Sequence, residues 1–225
     1  MSAAPAHGSL ATRLASLQQE IDRAVRARLA PGQPPVLIGA SKTQPVEVLE
    51  EAIRLGLTDF GENRVQEAQA KWPALKAAHP SARLHLIGPL QSNKAEEAVA
   101  LFDVIQTIDR PRIADAVAAA AVKLSRQPEC LIQVNTGEEA QKAGVMPKEL
   151  GALVVHCRKA ELKLTGLMCI PPMEENPAPH FALLHRLATE FGLSELSMGM
   201  SQDFASAIRL GATCVRIGTR LFGPR

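Results

Sequence analysis

The sequence predicts an α/β fold: a single-domain (β/α)8 TIM barrel of parallel strands, preceded by one extra helix. Three observations lead there. Eight short apolar or β-branched runs, closed by Gly, Pro, Asn or Ser, read as strands. Between them lie stretches with apolar residues at three- and four-residue spacing, which read as helices. Strict alternation means that each helix carries the chain back over the sheet, so the strands run parallel. Eight units in about 190 residues suggest closure into a compact barrel, since typical ones run to about 250 residues. A doubly wound open sheet is the alternative.

The elements follow in order. A helix over Leu10–Leu29 comes first, set apart by Pro31–Pro35 (PGQPP). The expected strands are Val36–Ser41, Leu57–Phe60, Leu84–Gly88, Asp103–Thr107, Cys130–Asn135, Leu164–Cys169, Glu195–Gly199 and Cys214–Gly218. Each is brief, as a strand buried on both faces should be. The expected helices are Val46–Leu55, Glu62–Ala78, Asn93–Leu101, Pro111–Leu124, Pro147–Lys159, Pro179–Phe191 and Gln202–Leu210. Pro45 before the first of these and Gly56 after it fit proline near a helix start and glycine past its end. Ending at Arg225, the chain has no room for a full eighth helix after the last strand, and the N-terminal helix is expected to cover part of that gap. One domain is expected over 1–225, with the N-terminal helix within 1–30 and the barrel over 36–223.

Composition narrows the function. With 225 residues, 46% hydrophobic and 21% charged, the chain can bury a sizeable core and is neither disordered nor fibrous. The net charge of +2 has no basic run behind it, so nucleic acid is not an expected partner. The start, MSAAPAHGSL, does not read as a secretory signal, and no apolar stretch approaches the roughly 18 residues of a membrane span. Cys130, Cys157, Cys169 and Cys214 include no CxxC pair and read as buried, reduced side chains, which suits the cytoplasm. His180 and His185 are spaced off any shared helix face, and no structural metal is expected. The chain has no tyrosine, which excludes any mechanism needing one as acid, base or nucleophile.

In a parallel barrel, reactive groups sit where strands end. Lys42 follows the first strand. A lysine beside buried surface is pushed toward the neutral amine that attacks aldehydes. Gly199-Met200-Ser201 and Gly218-Thr219 follow the last two strands, the usual place for phosphate in this fold. Strands eight and one would be neighbours, so one small molecule could bridge an amine at Lys42 and a phosphate there. Arg216 lies inside the last strand, where a buried arginine needs a partner or a ligand. An aldehyde bearing a phosphate fits this set: pyridoxal phosphate, or a phosphosugar in a Schiff-base aldolase.

Eight motifs bear on that choice: ASKT (40–43), FGENRVQE (60–67), HLIGPLQSNK (85–94), TIDR (107–110), GLMCIPP (166–172), LSMGMSQDF (196–204), AIRLGAT (207–213) and VRIGTRLFG (215–223). Together they closely resemble the YggS/PROSC family of pyridoxal phosphate homeostasis proteins, from about Val36 to Gly223. The resemblance implies a barrel similar to the N-terminal domain of alanine racemase, the fold-type III arrangement, with pyridoxal 5'-phosphate as cofactor. It implies Lys42 as the Schiff-base residue and Asn63 lining the cofactor. Ser201 with Gly218 and Thr219 would hold the phosphate, and Arg216 would face the pyridine nitrogen. It differs from the usual family pattern at Arg64, where tyrosine is common, at Gln202 and at Ala40. It further implies a homeostasis role without strong catalysis, since alanine racemase takes its second base from a tyrosine on an additional domain. A pyridoxal-phosphate enzyme acting on an amino acid is the alternative. Apoenzymes are the expected transient recipients of cofactor, and the chain is expected to be a monomer. Lys94 and Lys142, after strands three and five, are candidates for a second cofactor contact but read first as solvated lysines.

Overall fold

The computed structural model describes residues 8–28 and 32–223. Eight parallel strands close into one barrel in sequence order: β1 (Val36–Ala40), β2 (Asp59–Glu62), β3 (Arg83–Leu86), β4 (Val104–Ile108), β5 (Glu129–Val134), β6 (Lys163–Cys169), β7 (Glu195–Ser197) and β8 (Cys214–Ile217). β8 pairs with β1 through Val36–Cys214, Ile38–Arg216 and the residues between, which completes the ring and excludes the open sheet. The helices are α1 (Leu10–Arg26), α2 (Val46–Arg54), α3 (Val65–Ala78), α4 (Ala95–Leu101), α5 (Pro111–Leu124), α6 (Leu150–Lys159), α7 (Pro177–Glu190), α8 (Phe204–Arg209) and α9 (Thr219–Phe222).

Local chemistry sets the boundaries. Ser9 caps α1 by accepting from the Thr12 amide at 3.2 Å, and Asn176 caps α7 through the Ala178 amide at 3.1 Å. The Asn176 cap starts α7 at Pro177, two residues before the expected start. α1 ends at Arg26, and Leu29, the expected end, lies outside the described residues. Leu10, Leu17, Ile21 and Ala24 form the buried stripe of α1. That stripe packs against α8 and the short α9. Arg13 donates to the Leu221 carbonyl at 2.7 Å, and Arg28 to those of Ile208 (3.1 Å) and Ala212 (2.8 Å). α1 therefore covers the ground that a full eighth helix would occupy.

Several boundaries differ from expectation. The second strand runs two residues later, because Gly61 and Glu62 pair with His85 and Leu86 of β3. The following helix consequently starts at Val65 rather than Glu62. α8 begins at Phe204 rather than Gln202, since the Asp203 carboxylate first accepts from the Met200 amide at 2.6 Å and holds a turn there. The helices expected from Asn93 and Pro147 open instead with 3-10 turns, Ser92–Lys94 and Pro147–Glu149.

Two cores result. The space between strands and helices is mainly apolar, with Trp72 and Phe60 fully buried and their rings 5.0 Å apart. Within the ring of strands, Val104, Leu131 and Met168 form a separate small cluster. Buried polar groups accompany them: Gln106 of β4 bonds Ser197 of β7, a link between strands that are not neighbours and so must cross the lumen. Among the described residues, no helix is long and apolar enough to cross a membrane, and no cluster of His, Cys, Asp or Glu could hold a metal ion.

Candidate functional site

A cleft of about 690 Å³ opens where the strands end. Lys42, Asn63, Ser201, Arg216, Gly218 and Thr219 all border it, from the ends of β1, β2, β7 and β8. Ile87, Ile170, Pro171, Pro172 and Met200 supply apolar wall, a suitable surface for the faces of a flat ring.

Lys42 is half-buried on a tight turn, with Thr43 behind it at φ 65°. The turn is fastened from beneath. The Ser41 hydroxyl donates to Glu62 Oε1 at 2.8 Å, and the Gln44 amide donates to the Ser41 carbonyl at 3.0 Å. Lys71 Nζ, from α3, donates to the Ser41 carbonyl at 3.2 Å and to Glu62 Oε1 at 2.7 Å. Trp72 Nε1 completes the set on the same carboxylate oxygen at 3.0 Å. Glu62 is fully buried, so its charge is compensated by Lys71 and two neutral donors rather than by water.

Asn63 follows β2 directly. Its backbone lies so close to Gly88 that a Cβ there would stand 2.2 Å from the Asn63 carbonyl oxygen. Only glycine permits that approach. Across the cleft, the hydroxyls of Ser201 and Thr219 are 3.4 Å apart, beside Gly218. The turn carrying Ser201 passes through Gly199 at φ +94°, a left-handed conformation that favours glycine.

Arg216 is almost wholly buried. Its Nη1 donates to the Ser197 hydroxyl at 2.5 Å and its Nη2 to the Cys169 carbonyl at 2.8 Å, both neutral acceptors. Burial pushes its ionisation below the ordinary value, with the Asp203 carboxylate acting the other way. A guanidinium nonetheless stays charged in proteins.

Neither Lys94 nor Lys142 borders the cleft. Lys94 pairs with Glu97 at 2.9 Å and Lys142 with Glu139 at 2.6 Å. The four cysteines are free thiols and buried. Burial pushes Cys130 and Cys169 up to about 12, and Cys157 and Cys214 up to about 11. The supports of the site, Ser41, Glu62 and Lys71, have no role that the sequence alone assigns. Two of them sit inside motifs, ASKT and FGENRVQE, where each precedes a cleft residue by one position.

The alanine racemase N-terminal domain family matches residues 13–225. A protein of Aquifex aeolicus named pyridoxal phosphate homeostasis protein is 44% identical over 199 residues, which cover 84% of this chain and 86% of that one. This chain belongs to the pyridoxal phosphate homeostasis protein family. Among solved structures, PipY of Synechococcus elongatus without PLP is 38% identical with TM-score 0.85. The PLP-bound form of PipY is 37% identical with TM-score 0.79, and each match covers 96% of this chain and 100% of that one. A Clostridium difficile alanine racemase, at 15% identity and TM-score 0.71, shares the fold and covers 95% of this chain but only 57% of its own.

Proposed function

We propose that this protein binds pyridoxal 5'-phosphate and acts in its homeostasis as a carrier rather than as an enzyme. One observation carries the reading: an amine, a pair of hydroxyls and a buried guanidinium without a carboxylate on it share a single cleft. The donor set fits the group. Lys42 supplies the amine for the aldehyde, Ser201 and Thr219 with Gly218 hold the phosphate, Asn63 lines the ring, and Arg216 faces the ring nitrogen. When bound, the cofactor supplies a reactive aldehyde and a ring that is a weak electron sink while its nitrogen stays unprotonated. An obligate donor such as Arg216 favours that unprotonated form, which suits storage over carbanion chemistry.

The carrier reading also rests on what surrounds Lys42. A two-base racemase needs a second free acid/base opposite the lysine, and the chain has no tyrosine to serve. The carboxylates bordering the cleft are engaged elsewhere: Asp203 holds the Met200 amide at 2.6 Å and Glu175 lies 3.1 Å from His180 Nε2. A single copy supplies all six named groups, which supports a monomer, and free buried thiols suit a reducing cytoplasm. Apoenzymes are the proposed recipients, met transiently.

The test is optical. Purified protein given pyridoxal phosphate should turn yellow, and Lys42→Ala should not. A colourless wild type would contradict cofactor binding, and rapid amino-acid turnover or exchange at Cα would contradict the carrier role.

A further inference from the structure

Arg216 is one end of a chain of buried side chains that crosses the barrel. Its Nη1 meets Ser197 Oγ at 2.5 Å. Ser197 Oγ meets Gln106 Oε1 at 2.6 Å. Gln106 Nε2 meets His85 Nδ1 at 3.1 Å, and His85 Nε2 meets Asp59 Oδ1 at 2.9 Å. The path runs from β8 through β7, across the lumen to β4, then by β3 to β2. All five side chains are buried.

The two ends fix every bond between them. A guanidinium only donates and a carboxylate only accepts. Ser197, accepting from Arg216, must turn its own proton to the Gln106 carbonyl. The Gln106 amide nitrogen then donates to His85 Nδ1, which leaves His85 as the neutral tautomer with its proton on Nε2, donating to Asp59. Every donor therefore points away from the cleft toward the carboxylate. Asp59 is further anchored by the Thr58 hydroxyl at 2.6 Å.

We infer that Ser197, Gln106, His85 and Asp59 are positioning residues that hold Arg216 as a fixed donor, and so select a ligand ring that presents an unprotonated nitrogen. The inference rests on the proposed pyridoxal phosphate site. It adds that the preference for a ring nitrogen is set within the barrel, by groups that do not border the cleft. A guanidinium has five N–H donors. Two are occupied by Ser197 and the Cys169 carbonyl, and their geometry decides where the others aim.

The experiment compares two ligands, pyridoxal 5'-phosphate and its 1-deaza analogue, in which C–H replaces the ring nitrogen while aldehyde and phosphate remain. Affinities are measured for wild type, Gln106→Leu and Ser197→Ala by equilibrium titration of the visible band. The wild type should bind the analogue about tenfold more weakly, the scale of one lost hydrogen bond to a charged group. In both variants that ratio should fall below about twofold, while the visible band still forms through Lys42. Ser197→Ala removes only a hydroxyl, so it carries the test if Gln106→Leu fails to fold. A ratio unchanged in the folded variants would overturn the relay, as would a wild type indifferent to the ring nitrogen. A wild type that binds neither ligand would instead overturn the cofactor reading beneath it.

Discussion

The two ends of the cleft handle buried charge in opposite ways. Beneath Lys42, Glu62 and Lys71 form an internal ion pair at 2.7 Å, and the pair is used to fasten a backbone turn. At the far side, the Arg216 guanidinium rests on the Ser197 hydroxyl and the Cys169 carbonyl; the Asp203 carboxylate acts on it without a hydrogen bond, and the Asp59 carboxylate that ends the relay lies four hydrogen bonds away. A charge matched on the spot serves as scaffolding: Lys71, Ser41 and Trp72 all converge on Glu62 Oε1, while Oε2 stays buried without a partner. A charge balanced only at a distance keeps donors for whatever enters the cleft. Burial marks both arginine and glutamate as unusual; only the partner list separates support from site.

Breaking the scaffold end should have the largest effect. Glu62→Ala leaves Lys71 without its carboxylate in a largely buried place and opens a cavity. It should cost about 3–5 kcal/mol of stability by urea denaturation; a loss under about 1 kcal/mol would mean the pair is not holding the turn. Arg216→Met should reverse the pattern. Removing a buried cation with no adjacent carboxylate should change stability by less than about 1.5 kcal/mol, yet weaken pyridoxal phosphate at least about tenfold by titration. If Arg216→Met destabilises as much as Glu62→Ala while binding holds, the two ends are alike and the contrast fails.

Acid probes the remote carboxylate. Burial by itself would raise the Asp59 carboxyl, but hydrogen bonds from His85 and Thr58, with the Arg83 charge nearby, outweigh it and hold the group below its ordinary 3.8. A carboxyl lower in the folded state than in the unfolded one contributes stability that is present above the unfolded value and lost as pH falls through the folded one. Wild type should therefore lose more stability than Asp59→Asn as pH drops below about 4. Parallel curves for the two would remove Asp59 from the account. The smallest effect expected is on thiol labelling. With all four thiols buried and pushed up to about 11 or 12, native protein should show no fast-reacting cysteine at pH 8, and denatured protein four.

Much of this was legible in the chain. Short apolar runs closed by turn residues gave the number of strands and their order, since a strand buried on both faces leaves a dense local signature. The cleft residues follow strand ends, where the barrel's geometry tells a reader to look. Boundaries were harder: Gly61 and Glu62 carry little strand propensity, and their pairing with His85 and Leu86, with Gly61 also against Ala40, keeps them in β2. The relay left a fainter trace. His85 and Ser197 each interrupt an apolar run with one polar residue, and Gln106 does so together with Thr107, the mark of a polar lumen. Which of them touch depends on closure of the ring, because β4 and β7 meet only across it, and no local pattern carries that information.

The central claim is that the amine at Lys42 takes the cofactor's aldehyde. Mass spectrometry of protein mixed with pyridoxal phosphate, reduced with borohydride and digested, reads that directly. One pyridoxyl group on the peptide containing Lys42 is the expected result. A pyridoxyl group chiefly on Lys94, Lys142 or another lysine, with Lys42 unmodified, would contradict it.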